Sequence, residues 1–244
     1  MMHPALLLIL SCSLLCFQTS WATDAWESEI VDKNTYLGEI VELLEQKWPQ
    51  NRTINIVCHG HSVPAGYFKT PMVDTFNAYP HLLHRELKQR FPHAVINVIV
   101  TSIGGESSDR GAARFTRDVI THRPDVVIID YALNDRRIGL DAAKAAHSSM
   151  IDDAKAKGIK IILLTPTADL TAEKGNPADP LNQHAQQIRS LAQKHQVGLA
   201  DSLAAFYTAA EKNGNVADLM SQRNHPNRRG HELVAKELIQ WFPN

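Results

Sequence analysis

The chain is short of the features that would place it in several large classes. Lysine plus arginine total 25 against 26 aspartate plus glutamate, a formal net charge of −1 over 244 residues. That balance offers no electrostatic capture of nucleic acid or of an anionic membrane surface. Cysteine occurs three times, and Cys12 and Cys16 both fall in the N-terminal apolar stretch. There is no internal repeat, no low-complexity segment and no Pro/Gly/Ser-rich linker. Hydrophobic residues make up 44% and charged residues 21%, which is the composition of a globular chain long enough for one sizeable domain.

The N-terminal apolar run, Ala5–Phe17, is too short to span a bilayer comfortably. A buried N-terminal helix there would be apolar on every side, which suits a leader better than a surface-packed element. Ser20 and Ala22 put small residues at the two positions a signal peptidase inspects. The expected division is a signal peptide over 1–22, then one domain over 23–244, secreted or periplasmic and without stable membrane insertion once the leader is removed. A lipoprotein reading through Ile9-Leu10-Ser11-Cys12 leaves a very short apolar core. Loss of the leader leaves Cys58 alone, so no intrachain disulfide can form. Its place in an apolar run predicts a packed core thiol.

Five short apolar runs alternate with helical spacing. Strands are expected at Thr53–Cys58, Ala94–Ile103, Asp125–Tyr131, Ile159–Leu164 and Val197–Leu199. Helices are expected at Thr35–Trp48, around Leu83 to Phe91, at Ser108–Thr121, Leu140–Lys157, Leu181–His195, Ser202–Lys212 and Arg228–Phe242. In the third of these Ala113, Phe115, Val119 and Ile120 are assigned to the core. Thr165–Pro180 reads as a polar loop and Asn213–Asn227 as irregular. Strands alternating with helices imply a parallel sheet covered on both faces, a three-layer α/β/α fold of about five strands.

Four stretches carry chemistry-bearing residues to strand ends, where open α/β sheets collect their sites. Ser62 follows the first strand through Gly60. After the second strand come Gly104-Gly105-Glu106, where glycines let backbone N–H groups approach a ligand. The third strand ends in Tyr131-Ala132-Leu133-Asn134-Asp135, and an Asn there can aim its NH2 at a developing oxyanion. Near the C-terminus, Asn224-His225-Pro226-Asn227 precedes the last helix, with Pro226 and Asn227 suited to its start. Each stretch alone also reads as an ordinary turn, cap or surface residue.

Together, and in this order, they resemble the SGNH hydrolases, also called the GDSL family, over nearly all of the chain that follows the leader. The resemblance implies the SGNH, flavodoxin-like hydrolase fold and a carboxylic ester hydrolase needing no metal or cofactor. Ser62 matches the nucleophile and His225 the base. Ser62, Gly105 and Asn134 match the oxyanion hole. Three positions depart from the family pattern. His61 stands where the family has Asp, Ala132 where it has Gly, and Gln222 where it has the acid three residues before the histidine. A Ser–His dyad then requires Gln222 or a backbone carbonyl to accept the imidazole N–H, with Asp218 a more distant alternative.

The Gly-x-Ser-x-Gly elbow of the α/β-hydrolases is absent, because Gly60-His61-Ser62-Val63 is followed by Pro64. His59-Gly60-His61 resembles a zinc-binding pair, but barrel metallohydrolases need about eight strand–helix units. The polar loop Thr165–Pro180 and the Arg136-Arg137 pair suit a polar substrate, with Arg136 and Arg137 candidates for binding it. The function expected is removal of O-acetyl groups from carbohydrate, with a small-molecule or polysaccharide ester as substrate. A general short-chain carboxylesterase or lysophospholipase is the enzymatic alternative. A catalytically inactive glycan-binding SGNH domain is the alternative of another class.

Overall fold

The computed structural model describes residues 31–243. The expected leader, its cleavage site after Ala22, and Cys12 and Cys16 lie outside the described residues. In chain order the elements are α1 (Gly38–Glu45), β1 (Thr53–Gly60), α2 (Ser62–Ala65), α3 (Tyr79–Arg90), β2 (Val95–Val100), α4 (Ser108–Asp118), β3 (Val126–Asp130), α5 (Ala132–Asp135), α6 (Leu140–Lys155), β4 (Lys160–Leu164), α7 (Pro180–His195), β5 (Gly198–Ala200), α8 (Ser202–Asn213), β6 (Met220–Gln222), β7 (His225–Pro226) and α9 (Arg228–Ile239). Among the described residues, no helix is long and apolar enough to cross a membrane.

Strands β1 to β5 form one parallel sheet in the order 2-1-3-4-5. They read as continuous apolar runs because both faces are covered. Ile54, Ile56 and Cys58 of β1 and Ile128 of β3 face one layer, with Leu44 of α1, Leu83 and Leu87 of α3, Phe206 of α8 and Leu238 of α9. Val57, Val127 and Ile129 face the other, with Phe115 of α4, Met150 of α6 and Ile188 of α7. The chain reverses its direction of travel across the sheet between β1 and β3. That switch point opens a crevice at the carboxyl edge.

The structure departs from the sequence expectations in instructive places. Ala113 is exposed, and Arg114 is buried in its stead. A buried arginine is tolerated because Glu106 meets its guanidinium at 3.0 Å through Nε and Tyr131 lies 3.1 Å from Nη2. The region 213–227 is not wholly irregular: a 3-10 turn, Val216–Leu219, leads into the antiparallel pair β6–β7. The one-turn helices α2 and α5 follow β1 and β3 and are too short to carry a helical period.

Parallel pairing of β1 with β3 ends with Gly60 opposite Asp130. An added Cβ at Gly60 would stand 2.4 Å from the Asp130 carbonyl oxygen and 2.8 Å from Pro64 Cγ. Gly60→Ala therefore forces backbone apart rather than a flexible side chain. We expect a loss of about 1–3 kcal/mol in urea unfolding. A loss under about 0.5 kcal/mol would show that the two strand ends can separate freely.

Candidate active site

The crevice, about 720 Å³, is lined by residues that follow β1, β2 and β3, by the loop after β4 and by the β6–β7 turn. Ser62 opens α2 directly after β1 and is buried. The excursion between α2 and α3 starts with Gly66 at φ +91° and folds back on itself through Tyr67 paired with Val73. His225 lies in β7, placed by Ser221 Oγ donating to the carbonyls of His225 and Pro226 at 3.1 Å each. Asn227 then caps α9 by accepting the Gly230 N–H. These supports bring His225 Nε2 to 2.9 Å from Ser62 Oγ, across 163 residues of chain.

The other imidazole nitrogen decides whether this contact can move a proton. Gln222 Oε1 accepts the Thr70 N–H at 2.9 Å, so the Gln222 NH2 is the group facing His225 Nδ1, at 2.8 Å. The Phe68 carbonyl lies 2.8 Å from the same nitrogen. An NH2 only donates and a carbonyl only accepts, so Nδ1 can satisfy one of them at a time. When Nδ1 carries the proton it donates to Phe68, and Nε2 is free to receive the Ser62 proton. When Nε2 carries it, Nδ1 accepts from Gln222 and the base is blocked. The acceptor expected of the Gln222 amide oxygen is thus supplied by the Phe68 main chain, because Thr70 occupies that oxygen. Asp218 does not reach the histidine; its carboxylate accepts the Asn215 N–H in a capping box.

Gly105 and Asn134 both line the crevice with Ser62. Gly105 sits at φ +77° with open space where a Cβ would be, so the glycine serves the turn rather than a tight contact. Asn134 donates one amide hydrogen to the Glu106 carbonyl at 2.9 Å, which aims the NH2 group and leaves its second hydrogen available. Arg137 braces both residues, reaching the Gly105 carbonyl through Nη2 and the Asn134 carbonyl through Nε at 3.3 Å. Arg136 is paired with Asp169 at 2.7 Å and bonded to the Leu133 carbonyl at 2.8 Å. Asp169 also accepts from Thr171, which ties the polar loop after β4 to this wall. Arg223, 63% exposed, faces the same carboxylate from the far side at 3.9 Å.

Behind the glycine turn lies a network that sequence reasoning missed. Glu106 meets Arg114, as above, and accepts from Tyr131 Oη at 2.9 Å. His59 reaches Tyr131 Oη at 3.1 Å, the Gly111 carbonyl at 3.2 Å and Thr101 Oγ1 at 2.8 Å. Burial, with the Arg114 charge adding to it, pushes the His59 imidazole down to about 4. The zinc-like pair does not converge: His61 turns instead to Asp130 and to the start of α2. Cys58 is buried and its thiol is pushed up by burial, an unreactive core group as expected. Spacing alone could not have found the Glu106–Arg114 pair, since arginine is ordinarily read as surface.

A parallel α/β/α sheet with a serine and a histidine in contact at its carboxyl edge marks a class of ester hydrolases. The model of the GDSL-like lipase/acylhydrolase family matches residues 58–233, and the chain belongs to that family. An acetylxylan esterase of Geobacillus stearothermophilus is 27% identical over 170 residues, 63% of this chain and 75% of the relative. The crystal structure of an acetylxylan esterase from that organism superposes with a TM-score of 0.68 at 22% identity, covering 78% of this chain and 94% of the other. That protein has also been solved as catalytic mutants at a serine, an aspartate and a histidine, the aspartate three positions before the histidine. A two-domain esterase active on acetylated mannans superposes with a TM-score of 0.71 at 19% identity, covering 89% of this chain and 55% of that one.

Burial lowers the His225 imidazole below its ordinary value; the Phe68 carbonyl partly opposes this, and the nearby His61 lowers it further. The neutral imidazole therefore persists to lower pH than that of a free histidine. Gln222→Glu replaces the NH2 by an acceptor and adds a charge that favours imidazolium, so the sign is upward. We expect the acid limb of kcat/KM to move up by about 1 pH unit. Gln222→Ala leaves Phe68 in place and should cost less than about tenfold in kcat/KM. An acid limb that stays put in Gln222→Glu would show that residue 222 does not act on the base.

Proposed function

We propose that the chain is a secreted serine esterase that removes O-acetyl groups from an acetylated polysaccharide through a Ser62 acyl-enzyme. The observation that carries this reading is the 2.9 Å contact between His225 Nε2 and Ser62 Oγ in a crevice lined also by Gly105 and Asn134. Ser62 Oγ attacks the acetyl carbonyl carbon as its proton passes to His225 Nε2. Negative charge on the carbonyl oxygen is met by the Ser62 and Gly105 N–H groups and the Asn134 amide. The C–O bond to the sugar breaks as His225 returns the proton to the departing hydroxyl. Water then attacks the acetyl-Ser62 carbonyl and gives a proton to His225; the bond to Ser62 Oγ breaks as His225 returns that proton to it, and acetic acid leaves.

The activities in the names of the similar proteins, on acetylated xylan and acetylated mannan, support the substrate class. So does a wall of Thr70, Thr171, Asn224 and three arginines in place of an apolar lid. The reading as an inactive glycan-binding domain rested on the missing acid, and Phe68 supplies an acceptor without it. Ser62→Ala should lower acetate release from acetylated xylan at least about 10³-fold with the fold intact. Wild-type turnover in that variant would end the serine reading.

The crevice carries Arg136, Arg137 and Arg223 against the single carboxylate of Asp169. Arg136 and Arg137 are held by protein partners, so an acidic group on the glycan would meet Arg223 most freely. Arg223→Gln should raise KM for acetylated oligosaccharides bearing uronate about two- to fivefold and spare a small neutral acetyl ester. Equal loss on both substrates would refute recognition of the acid.

A further inference from the structure

The acid absent from position 222 has a counterpart on the opposite side of the serine. His61 and Asp130 are each about 1% exposed, and His61 Nε2 lies 3.3 Å from Asp130 Oδ1. Neither atom has a hydrogen-bond partner, so the two meet as a close polar contact rather than a hydrogen bond. The second carboxylate oxygen of Asp130 accepts from Tyr79 Oη at 3.3 Å. His61 Nδ1 accepts the Val63 N–H at 3.2 Å, so that nitrogen carries no hydrogen and the ring hydrogen sits on Nε2, beside Asp130. The same Nδ1 stands 3.5 Å from Ser62 Oγ. Ser62 is thereby flanked by two imidazoles, His225 on the crevice side and His61 backed by a buried carboxylate.

The titratable groups around this cluster come from four elements. Cys58 of β1 and Tyr79 of α3 are both pushed up, burial first and then the Asp130 charge, so both remain neutral. His231 of α9, behind His225, is pushed down by burial to about 3 and is also neutral. Asp130 of β3 is the carboxylate that these contacts link to Ser62 through His61.

We propose that His61 and Asp130 are positioning residues of the esterase site: they seat Ser62, and the Asp130 charge offsets the His61 ring, which by itself disfavours the His225 imidazolium. This rests on the Ser62–His225 dyad proposed above. Both departures from the family pattern, at 61 and at 222, remove a carboxylate, and Asp130 is a buried carboxylate that stays beside the residue preceding the nucleophile.

The test uses His61→Asn, whose amide oxygen can still accept the Val63 N–H, and the isosteric Asp130→Asn, on a small neutral acetyl ester. Each should lower kcat about ten- to a hundredfold with KM within twofold, and the double variant should lose no more than the worse single one. Asp130→Asn removes a charge that favours imidazolium, so its acid limb should move to lower pH. Adding Gln222→Glu to Asp130→Asn should recover most of the lost kcat, because it restores a charge from the other side. A folded His61→Asn with kcat within threefold of the parent, or an absence of rescue, would overturn the proposal and leave His61 as a helix cap. If Asp130→Asn does not fold, His61→Asn decides alone. Ser62→Ala in the same assay separates the two readings: full activity there sinks the dyad itself, whereas an inactive Ser62→Ala beside an active His61→Asn sinks only the pair.

Discussion

The approach of Gly60 to the Asp130 carbonyl is the constraint on which the rest depends. Parallel pairing of β1 with β3 runs to their last residues, and nothing larger than hydrogen fits between them. Because the strands end together, the chain turns out of both at one place. Ser62 and the His61 ring leave from one strand, Asp130 and the path to Asn134 from the other. The sheet order then leaves a crevice above this junction, and the second strand delivers Gly105 to its edge. The site is a consequence of register before it is a matter of side-chain chemistry.

Around that junction the charges are arranged so that each buried one has a partner. Arg114 and Glu106 stabilise the turn that carries Gly105, at the cost of burying an ion pair. Asp169 does the same for the loop after β4 by holding Arg136. Replacing one partner of either pair would leave an uncompensated charge in the wall of the crevice.

Much of this was legible in the residues. The five strands were readable because a strand buried on both faces is a continuous apolar run, and Ser62, Gly105, Asn134 and His225 were readable from their order after strand ends. What escaped had no period or composition to announce it. Arg114 looked like a surface residue on a helix where Ala113 looked apolar, and only the distant Glu106 and Tyr131 reverse that. The β6–β7 pair is too short to alternate. The partner of His225 Nδ1 could not be read at all, since a carbonyl belongs to every residue and Phe68 lies 157 positions away.

That last contact has a genetic side. An aspartate beside the base can be lost by a single nucleotide change, whereas a main-chain oxygen survives any substitution of the side chain at 68. Position 222 need not supply the acceptor for His225 Nδ1. Vulnerability passes instead to the path of the backbone. Insertions, deletions or proline replacements between residues 66 and 74 would displace the oxygen without replacing Ser62, Asn134 or His225. Lesions that inactivate this protein should therefore map to a segment that an inspection of side-chain motifs would pass over.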